Sequence, residues 1–372
     1  MMLHDANPLA ADDNDWAERC DHWIAESISI SPKRRVRQRN PGPLILCGHG
    51  LSMRIESGAL VIRDGFTHHP QDQAKYRFFL GDLDLPTRIL LLDGSGTLSF
   101  DVLSWLAEQG VALARVRWNG EVATVLSGSG YAADRDKVRW QHDTRSDDVA
   151  RLAFAADSIR RKLIASIATL ENQIADSEVR SIAIDKARAG IERLTNEAFK
   201  DLNAIFAIEG ECAAKYFAAW QGLPMQWTGV KRRPVPDGWH CYPGRTSLAN
   251  GEKPENRNAS HPINAMLNYA YAVKLAQLQT QAVADGYDPT FGVMHNGRRG
   301  KPALILDLIE PRRPVVDALI LQLVSKRRFA AADFVLRTDR VCRLSPQLAR
   351  MIATLVAASD QKKEIRSLLG RS

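Results

Sequence analysis

The hydrophobic pattern of this chain changes its period once, and this change constrains the fold more than any other feature. The first part carries short apolar or alternating runs, most of them punctuated by glycine, which are typical of β-strands: LILCGHG, LSMRIES, ALVIRDG, RILLLDGSG, ALARVRWNG and EVATVLSG. One segment among them, SFDVLSWLAEQG, has the serine cap, the helical apolar spacing and the closing glycine of a helix. The later part repeats apolar residues every three or four positions, as amphipathic helices do: Leu152, Ala156, Ile159, Leu163, Ile167, Leu170 and Ile174.

These two patterns predict an α+β protein, in which a small β-rich N-terminal domain is followed by a larger all-α domain. The predicted boundaries are a charged leader at residues 1–42, expected to be mobile, the β-rich domain at 43–128, a polar hinge at 129–145 and the helical domain at 146–372. Further helices are expected at 181–196, 199–220, 262–285, 314–327 and 344–368. A long connection at 221–261 is rich in Pro and Gly, and connections of this length are usually functional or disordered.

The charge balance and the cysteines narrow the functional class only slightly. The 372 residues carry a net charge of +7 and a pI near 9.2, which is a mild indication of a polyanionic partner. No apolar run approaches the roughly 18 residues that span a bilayer, and the acidic N-terminus lacks the apolar core of an export signal. The five cysteines are scattered, and no pair has metal-ligand spacing. We therefore expect a cytoplasmic protein with reduced thiols and no membrane association.

The helix at 199–220 places a glutamate, Glu209, in a row of apolar residues. The other members of the row are Leu202, Phe206, Ala213, Phe217 and Trp220. A carboxylate is seldom buried without a partner, because desolvation is costly or shifts its pKa. Glu209 is therefore a candidate for a buried polar site, unless the row bends and the side chain reaches solvent. Glu211 falls outside the row and is expected at the surface.

A second candidate site lies in the stretch GVMHNGRRGKPALILDLIEPRRP, at residues 292–314. Asp307 and Glu310 are three residues apart, so one helical turn brings both carboxylates to the same side of an apolar segment. Two such acids repel each other unless a cation lies between them. His295 can add a nitrogen ligand to that cation, although a histidine in a glycine-flanked loop can equally be solvated. The stretch therefore predicts a metal site.

Basic residues surround this stretch and could hold phosphates beside a metal ion: Arg298, Arg299, Lys301, Arg312 and Arg313. A metal site of carboxylates and histidine lined with arginines points to phosphoryl transfer on a nucleic acid. The helix that opens at Pro262 adds Asn264, Asn268 and Tyr271 on one face. This polar face suits hydrogen-bonding support around the site, with a solvated face as the alternative.

Four blocks of the sequence together resemble the CRISPR-associated integrase family of spacer acquisition, the first Cas protein: IEGECAAKYF (208–217), NAMLNYAYA (264–272), GVMHNGRRGKPALILDLIEPRRPVVD (292–317) and VCRLSP (341–346). Two N-terminal blocks, LCGHGLSMRIESGALVIRDG and LDGSGTLSFDVLSWLAEQGVAL, are similar to the β-domain of that family. The resemblance covers roughly residues 43 to 358 and implies a β-rich N-terminal domain joined to a helical catalytic domain. The leader departs from the common form of the family.

The resemblance also implies the site residues one by one. The glutamate of the IEG block is Glu209, the histidine of the G-x-x-H block is His295, and the acid of the D-L-x-E block is Glu310. These three are the implied metal ligands and catalytic residues for Mg²⁺ or Mn²⁺, and the neighbouring Asp307 is given a supporting catalytic role. Further candidates for contacts to the DNA backbone, beside the basic residues around the site, are Lys231, Arg232, Arg233 and Arg245.

The implied function is that of a metal-dependent DNA integrase and endonuclease, which inserts new spacer DNA into a CRISPR array by attack of a 3′-hydroxyl on a phosphodiester. The implied partners are double-stranded and branched DNA, a second copy in a homodimer, and the small second Cas protein in a heterohexamer. One alternative has the same active site but serves a mobile element, as a casposon-type or stand-alone transposase. Another is a DNA-binding scaffold without catalytic activity.

Overall fold

The computed structural model describes residues 43–66, 73–117, 122–126, 133–245, 259–296, 302–338 and 340–359. All of them belong to one compact unit that spans residues 39–372. The predicted leader at 1–42 lies outside the described residues, as do the candidate DNA contacts Arg298, Arg299 and Lys301. Within the described part, no helix combines the length and the apolar character needed to cross a membrane.

The described residues of the first part form a six-stranded mixed sheet and one helix, α1 (Phe100–Glu108). The strands in chain order are β1 (Leu44–Glu56), β2 (Ala59–Arg63), β3 (Lys75–Phe78), β4 (Arg88–Leu98), β5 (Ala112–Val116) and β6 (Val122–Leu126). In space the order is β3-β2-β1-β4-β5-β6, with β1–β4 and β4–β5 parallel and the other pairs antiparallel. Helix α1 is the crossover between parallel strands β4 and β5. The β-rich N-terminal part is therefore confirmed, although the first two predicted strands join into β1 and strand β3 was not predicted.

Strands β1 and β4 approach each other closely where both carry glycine. Gly94 has a φ of +118°, and a Cβ atom at this position would lie 1.9 Å from the carbonyl oxygen of Gly48. The register of the pair shifts at the same point, between Cys47 and Gly48. The glycines that punctuate this part of the sequence thus permit a backbone contact that a side chain would block.

The second part is mainly helical, as predicted. Its helices are α2 (Arg135–Ser146), α3 (Asp148–Gln173), α4 (Glu178–Asn196), α5 (Leu202–Ala218), α6 (Pro262–Ala284), α7 (Ala303–Ile309), α8 (Arg313–Lys326) and α9 (Pro346–Ala358). Asp147, Ser177 and Asp201 cap the N-termini of α3, α4 and α5 by accepting backbone N–H groups. All of helix α2 except its last residue, Ser146, lies within the segment predicted as a hinge, while the domain boundaries themselves stay predictions. The last predicted helix, 344–368, is described only as far as residue 359.

The prediction that this part is all-α was wrong in detail. Its described residues include four short strands, β7 (Trp227–Thr228), β8 (Phe329–Ala330), β9 (Phe334–Leu336) and β10 (Cys342–Leu344). They form a parallel pair, β7–β8, and an antiparallel pair, β9–β10. Strands of two or three residues are too short for an alternating pattern to be visible in the sequence.

One hydrophobic core joins the sheet to the helices. It includes Leu92 and Ala114 from the sheet together with Met266 and Val273 from helix α6. Most residues of α6 are buried, so this helix lies in the centre of the helical part. The other face of the sheet packs against α1 in a separate cluster. Helix α6 is thereby fixed between the sheet and the remaining helices.

Candidate active site

A cavity of about 290 Å³ lies among the helices of the second part. Helices α3, α4, α5, α6 and α8 contribute to its walls, together with the loop before α7 and the turn of 3₁₀ helix Glu310–Arg312. Glu209, His295 and Glu310 all line this cavity, although they are distant in the sequence. The structure thus brings the three proposed metal ligands to one place.

Glu209 enters the cavity from the edge of the buried face of α5. The buried row of this helix is Ile205, Ile208, Cys212 and Tyr216, one position away from the row predicted from the sequence, so that prediction was wrong in register. The Glu209 side chain is 24% exposed, so it lies neither in the apolar core nor in open solvent. Glu211 is 55% exposed and forms an ion pair with Lys186 of the neighbouring helix α4.

An ammonium group lies between the two glutamates. The Nζ atom of Lys162, on helix α3, is 2.5 Å from Oε1 of Glu209 and 2.5 Å from Oε2 of Glu310. The Lys162 side chain is only 13% exposed. Burial opposes its positive charge, but the carboxylates of Glu310 and Glu209 outweigh burial and raise the pKa of Lys162. The cation that was expected between acidic side chains is therefore present, but it joins Glu310 to Glu209 and not to Asp307.

Glu310 has a second basic partner. The Nε atom of Arg313 donates to its Oε1 atom at 3.1 Å, so the two carboxylate oxygens face different cations. Burial alone would raise the pKa of Glu310, but the charges of Arg313 and Lys162 outweigh it and lower the pKa to about 2. Glu310 is therefore ionised throughout the physiological pH range.

Asp307 has a different task from Glu310, although one turn separates them. It is buried in α7 and accepts the backbone N–H groups of Val293, Met294 and His295. Its Oδ1 atom also lies 2.7 Å from Nδ1 of His295. The preceding Gly292 lets the loop pass close to α7, since a Cβ atom there would lie 2.8 Å from the backbone of Ala303. Asp307 thus fixes the loop and the ring of the histidine.

His295 can offer only one nitrogen to a ligand in the cavity. A carboxylate only accepts hydrogen bonds, so Nδ1 donates to Asp307 and Nε2 is left for the cavity. The hydrogen bond with Asp307 raises the pKa of His295, against the opposing effect of partial burial. A metal ion that binds at Nε2 competes with a proton for this atom.

Helices α2 and α3 bind the backbone carbonyl groups of the loop that carries His295, residues 291–295 (the histidine loop). Arg145 donates to the carbonyl oxygens of Gly292 at 2.5 Å and His295 at 3.0 Å, and Arg151 donates to that of Val293 at 2.9 Å. The buried Gln141 donates to the carbonyl of Phe291 at 2.7 Å. Part of the segment predicted as a hinge therefore positions the site.

The predicted polar face of α6 is not solvated. Asn264 is fully buried, and it accepts hydrogen bonds from Tyr242 at 3.0 Å and Arg245 at 3.3 Å. Asn268 accepts a hydrogen bond from the same arginine at 2.9 Å. The guanidinium groups of Arg245 and Arg313 both lie over the ring of Tyr271, at 5.7 and 5.1 Å from its centroid. Asn264 and Asn268 thus hold one of the predicted DNA contacts, Arg245, at the wall of the cavity.

A buried acid, Asp317, lies under these arginines. It accepts hydrogen bonds from the hydroxyl groups of Tyr216, at 3.0 Å, and Tyr271. Complete burial raises the pKa of Asp317 to about 6, even though both hydroxyl groups and the charges of Arg245 and Arg313 lower it. The polar cluster therefore continues from the carboxylates into the core behind Tyr271.

The other predicted DNA contacts that the structure describes do not line this cavity. Lys231, Arg232 and Arg233 are exposed, in a turn where the backbone N–H groups of both arginines bond to the carbonyl of Gly229. Arg312 is partly buried in the 3₁₀ turn beside Glu310. None of these four side chains is among the described residues that line the cavity.

The donor set suits a divalent ion, although the present arrangement holds an ammonium. Two carboxylate oxygens and one imidazole nitrogen are ligands that Mg²⁺ or Mn²⁺ accepts. The two oxygens already bind a common cation, Lys162, which is the observation that supports the fit. Within the described ranges, no three His, Cys, Asp or Glu side chains converge closely enough to hold a metal as they stand. The two carboxylate oxygens that would hold a metal contact the ammonium of Lys162 instead.

Sequence reasoning missed Lys162, Arg145 and Asp317. The sequence around Lys162 had one usable signal. Lys162 is next to the buried Leu163 on α3, and the buried face of this helix also carries the polar residues Ser158, Ser166 and Thr169. A helix face that buries small polar residues is a plausible place for a buried charge. Arg145 and Asp317 had no comparable signal, because their partners lie more than a hundred residues away or on other helices.

Comparison with known proteins identifies the relatives of this chain. The model of the family described as CRISPR associated protein Cas1 matches residues 44–357. The CRISPR-associated endonuclease Cas1 1 of Archaeoglobus fulgidus is 26% identical over 338 residues, which cover 87% of this chain and 90% of the relative. A casposase bound to an integration product has a TM-score of 0.65 at 23% identity, covering 85% of this chain and 82% of that one. A chain of a Cas6-RT-Cas1–Cas2 complex has a TM-score of 0.62 at 16% identity, covering 90% of this chain and 34% of that one. At these identities the two structures show a similar fold.

Proposed function

The chain belongs to the Cas1 family of CRISPR-associated proteins, and on that premise we propose that it is a divalent-metal-dependent DNA endonuclease and integrase. The observation that carries the proposal is that Glu209, His295 and Glu310 line one cavity. The carboxylates of the two glutamates already hold a cation between them, the ammonium of Lys162. The relative from Archaeoglobus fulgidus is named an endonuclease. Cleavage by an endonuclease is the same displacement at phosphorus, with water as the nucleophile.

The proposed reaction inserts new spacer DNA into a CRISPR array. A DNA 3′-hydroxyl attacks the phosphorus of a target phosphodiester, one P–O bond forms, and the bond to the target 3′-oxygen breaks. One phosphodiester replaces another, so no external energy source is required. When water takes the place of the hydroxyl, the same displacement is cleavage. Placement of the DNA then decides between joining and cutting.

Glu209, Glu310 and Nε2 of His295 are the groups that would hold Mg²⁺ or Mn²⁺. The chemistry such an ion supplies is polarisation of the phosphodiester and stabilisation of charge on the attacking and leaving oxygens. Asp307 keeps the imidazole oriented through Nδ1, and Arg313 donates to the Glu310 oxygen that Lys162 does not contact. Arg245 presents a guanidinium at the cavity wall, where it can bind a phosphate of the DNA.

Incubation of the purified protein with a branched half-site integration intermediate tests this function. With Mn²⁺ or Mg²⁺ present, we expect the free 3′-hydroxyl of the nicked target strand to attack the phosphodiester at the branch. This strand transfer rejoins the target strand and releases the incoming strand, while attack by water at the same bond is cleavage at the branch. Addition of EDTA should remove both activities, and restored Mn²⁺ should return them. DNA left unchanged in all conditions, by protein that binds it, would support the alternative of a non-catalytic DNA-binding scaffold.

The exposed turn at Lys231, Arg232 and Arg233 is the proposed contact to the DNA backbone outside the cavity. Changing Arg232 and Arg233 to alanine should weaken DNA binding to a similar degree on unrelated sequences. It should also reduce the slope of log affinity against log salt by roughly 1 to 2, because each phosphate contact contributes about 0.9. Fluorescence anisotropy at several salt concentrations measures both quantities.

Arg188→Ala is the control for this pair of substitutions, because Arg188 is exposed and pairs with Glu171 and Asp185. The control should bind DNA as the wild type does. An unchanged affinity and salt slope in the double variant would remove the turn from the DNA-binding surface.

The proposed assembly is a homodimer that joins the small second Cas protein in a heterohexamer. The name of one similar structure, a Cas6-RT-Cas1–Cas2 complex, supports this partner. The similar casposase structure supports the other candidate, a transposase of a mobile element with the same active site. The DNA that flanks the coding sequence distinguishes them, since a repeat–spacer array belongs with the first and terminal inverted repeats with the second.

A further inference from the structure

Lys162 lies where the proposed metal ion would have to bind. Its ammonium contacts one oxygen of Glu209 and one of Glu310, each at 2.5 Å. These carboxylates are two of the three proposed ligands, and the lysine comes from a third element, helix α3. The distance between these two carboxylate oxygens therefore cannot exceed the sum of the two contact distances. An ion that bridges them has no place to bind while the ammonium is there.

The ammonium and a divalent ion exclude each other for two reasons. Metal–oxygen distances for Mg²⁺ are about 2.0–2.1 Å, so a bridging ion would occupy nearly the same point as Nζ. Two cations a few ångströms apart in a partly buried site also repel each other strongly. Binding of the metal at this point therefore requires withdrawal of Lys162.

The side chain of Lys162 is suited to such a movement. A lysine carries its charge on a flexible stem of four carbons, whereas the neighbouring Arg313 is planar and lies over the ring of Tyr271. Lys162 itself lines the cavity, so the ammonium can turn into it without crossing the core. In the absence of metal, its charge keeps two adjacent carboxylates from repelling each other.

We propose that Lys162 is an internal counter-ion, which occupies the metal position in the metal-free protein and is displaced when Mg²⁺ or Mn²⁺ binds. This inference rests on the proposed metal site. It adds that the Lys162 ammonium and the metal ion compete for the same two carboxylates. Each binding event must remove an existing ion pair, so Lys162 weakens the apparent affinity for the metal while it stabilises the metal-free fold.

Lys162→Met tests the competition, because methionine keeps much of the length of the side chain without the charge. Titration of the purified protein with Mn²⁺ alone, followed by electron paramagnetic resonance of the free ion, should give at least a tenfold tighter affinity for this variant than for the wild type. The metal-free variant should melt at a lower temperature, and Mn²⁺ should raise its melting temperature more than it raises that of the wild type.

Lys186→Met is the matched control, since Lys186 on α4 pairs with Glu211 of α5 at 2.6 Å, and both side chains are exposed. It should leave the Mn²⁺ affinity unchanged. Lys162→Arg keeps the positive charge and provides a second test should Lys162→Met fail to fold. It should bind Mn²⁺ no more tightly than the wild type does.

Two results would overturn the counter-ion role in different ways. Equal or weaker Mn²⁺ affinity in Lys162→Met, beside measurable binding by the wild type, would reject the competition and leave the metal site in place. A failure of both proteins to bind Mn²⁺ at millimolar concentration would reject the metal site itself, and the counter-ion role with it.

Discussion

Replacing Glu209 with glutamine is expected to reduce DNA strand transfer and cleavage by about a thousandfold or more. Glutamine has the same shape but a neutral amide, so one of the two carboxylates that contact Lys162 in the cavity is lost. A bound metal ion supplies several kcal/mol of charge stabilisation in the transition state. A loss of about 4 kcal/mol of that stabilisation corresponds to roughly a thousandfold in rate. The fold should be retained, since the amide oxygen can still accept a hydrogen bond from Lys162.

The control for this substitution is Glu211→Gln, the same chemical change two residues later on helix α5. Glu211 pairs with Lys186 at the surface, and its carboxylate is not among the described residues that line the cavity. We expect this control to keep wild-type activity in the half-site assay with Mn²⁺. Circular dichroism and the melting temperature establish that both variants are folded. Indistinguishable strand transfer by Glu209→Gln and the wild type would mean that the active site lies elsewhere.

The period of the hydrophobic residues was sufficient to predict the mixed architecture. Alternating runs before residue 128 became strands of one sheet, and three residues of the predicted row in α3, Ile159, Leu163 and Leu170, are buried. These features are local, because each depends on residues only a few positions apart. The short strands β7 to β10 escaped the prediction because two or three residues show no period, and the pairing of β7 with β8 depends on partners remote in the sequence.

The sequence was sufficient to predict which residue types form the candidate site, but not which side chains contact each other there. The spacing of Asp307 and Glu310 indicated two acids on one side of a turn, and the natural expectation was a cation between them. The structure instead gives Asp307 three backbone N–H groups and the histidine, and gives Glu310 the ammonium of Lys162. Spacing along a helix fixes the face on which a carboxylate lies. It does not specify the groups that other elements bring to that face.

Arg145 shows the same limitation in the segment predicted as a hinge. The polar composition of residues 129–145 indicated a linker. Arg145, in helix α2, instead donates hydrogen bonds to backbone carbonyl groups of the histidine loop. Loop carbonyls have no side-chain signature in the sequence. A polar helix that binds them therefore resembles a solvated one until the fold places the two together.

Asp307→Asn is expected to reduce both stability and activity. The carboxylate accepts four hydrogen bonds, two on each oxygen: Oδ2 from Val293 and Met294, and Oδ1 from the backbone and ring of His295. An asparagine offers one acceptor oxygen, and its NH₂ group must face donors on the other side. Buried donors left without an acceptor destabilise a protein by about 1–3 kcal/mol each. We expect the free energy of unfolding to fall by about 3 kcal/mol.

The loss of activity follows from the tautomer of His295. When the asparagine NH₂ group faces Nδ1, this nitrogen must accept a hydrogen bond, and the proton of the neutral ring moves to Nε2. A protonated Nε2 cannot bind a metal ion. Loss of such an orienting partner typically reduces metal affinity or activity by roughly 10- to 100-fold. The concentration of Mn²⁺ needed for half-maximal strand transfer should therefore rise, and excess Mn²⁺ should restore part of the activity.

Urea denaturation and a Mn²⁺ titration of strand transfer measure the two effects of Asp307→Asn separately. Asp157→Asn is the control, because Asp157 is 39% exposed and pairs with Arg160 and Arg161 near the surface of α3. It should change the free energy of unfolding by less than about 1 kcal/mol and leave the Mn²⁺ requirement unchanged. A stable Asp307→Asn protein with the Mn²⁺ requirement of the wild type would show that the His295 ring does not depend on this carboxylate. Nε2 would then have no fixed direction toward the cavity, and His295 could not be retained as a metal ligand on structural grounds.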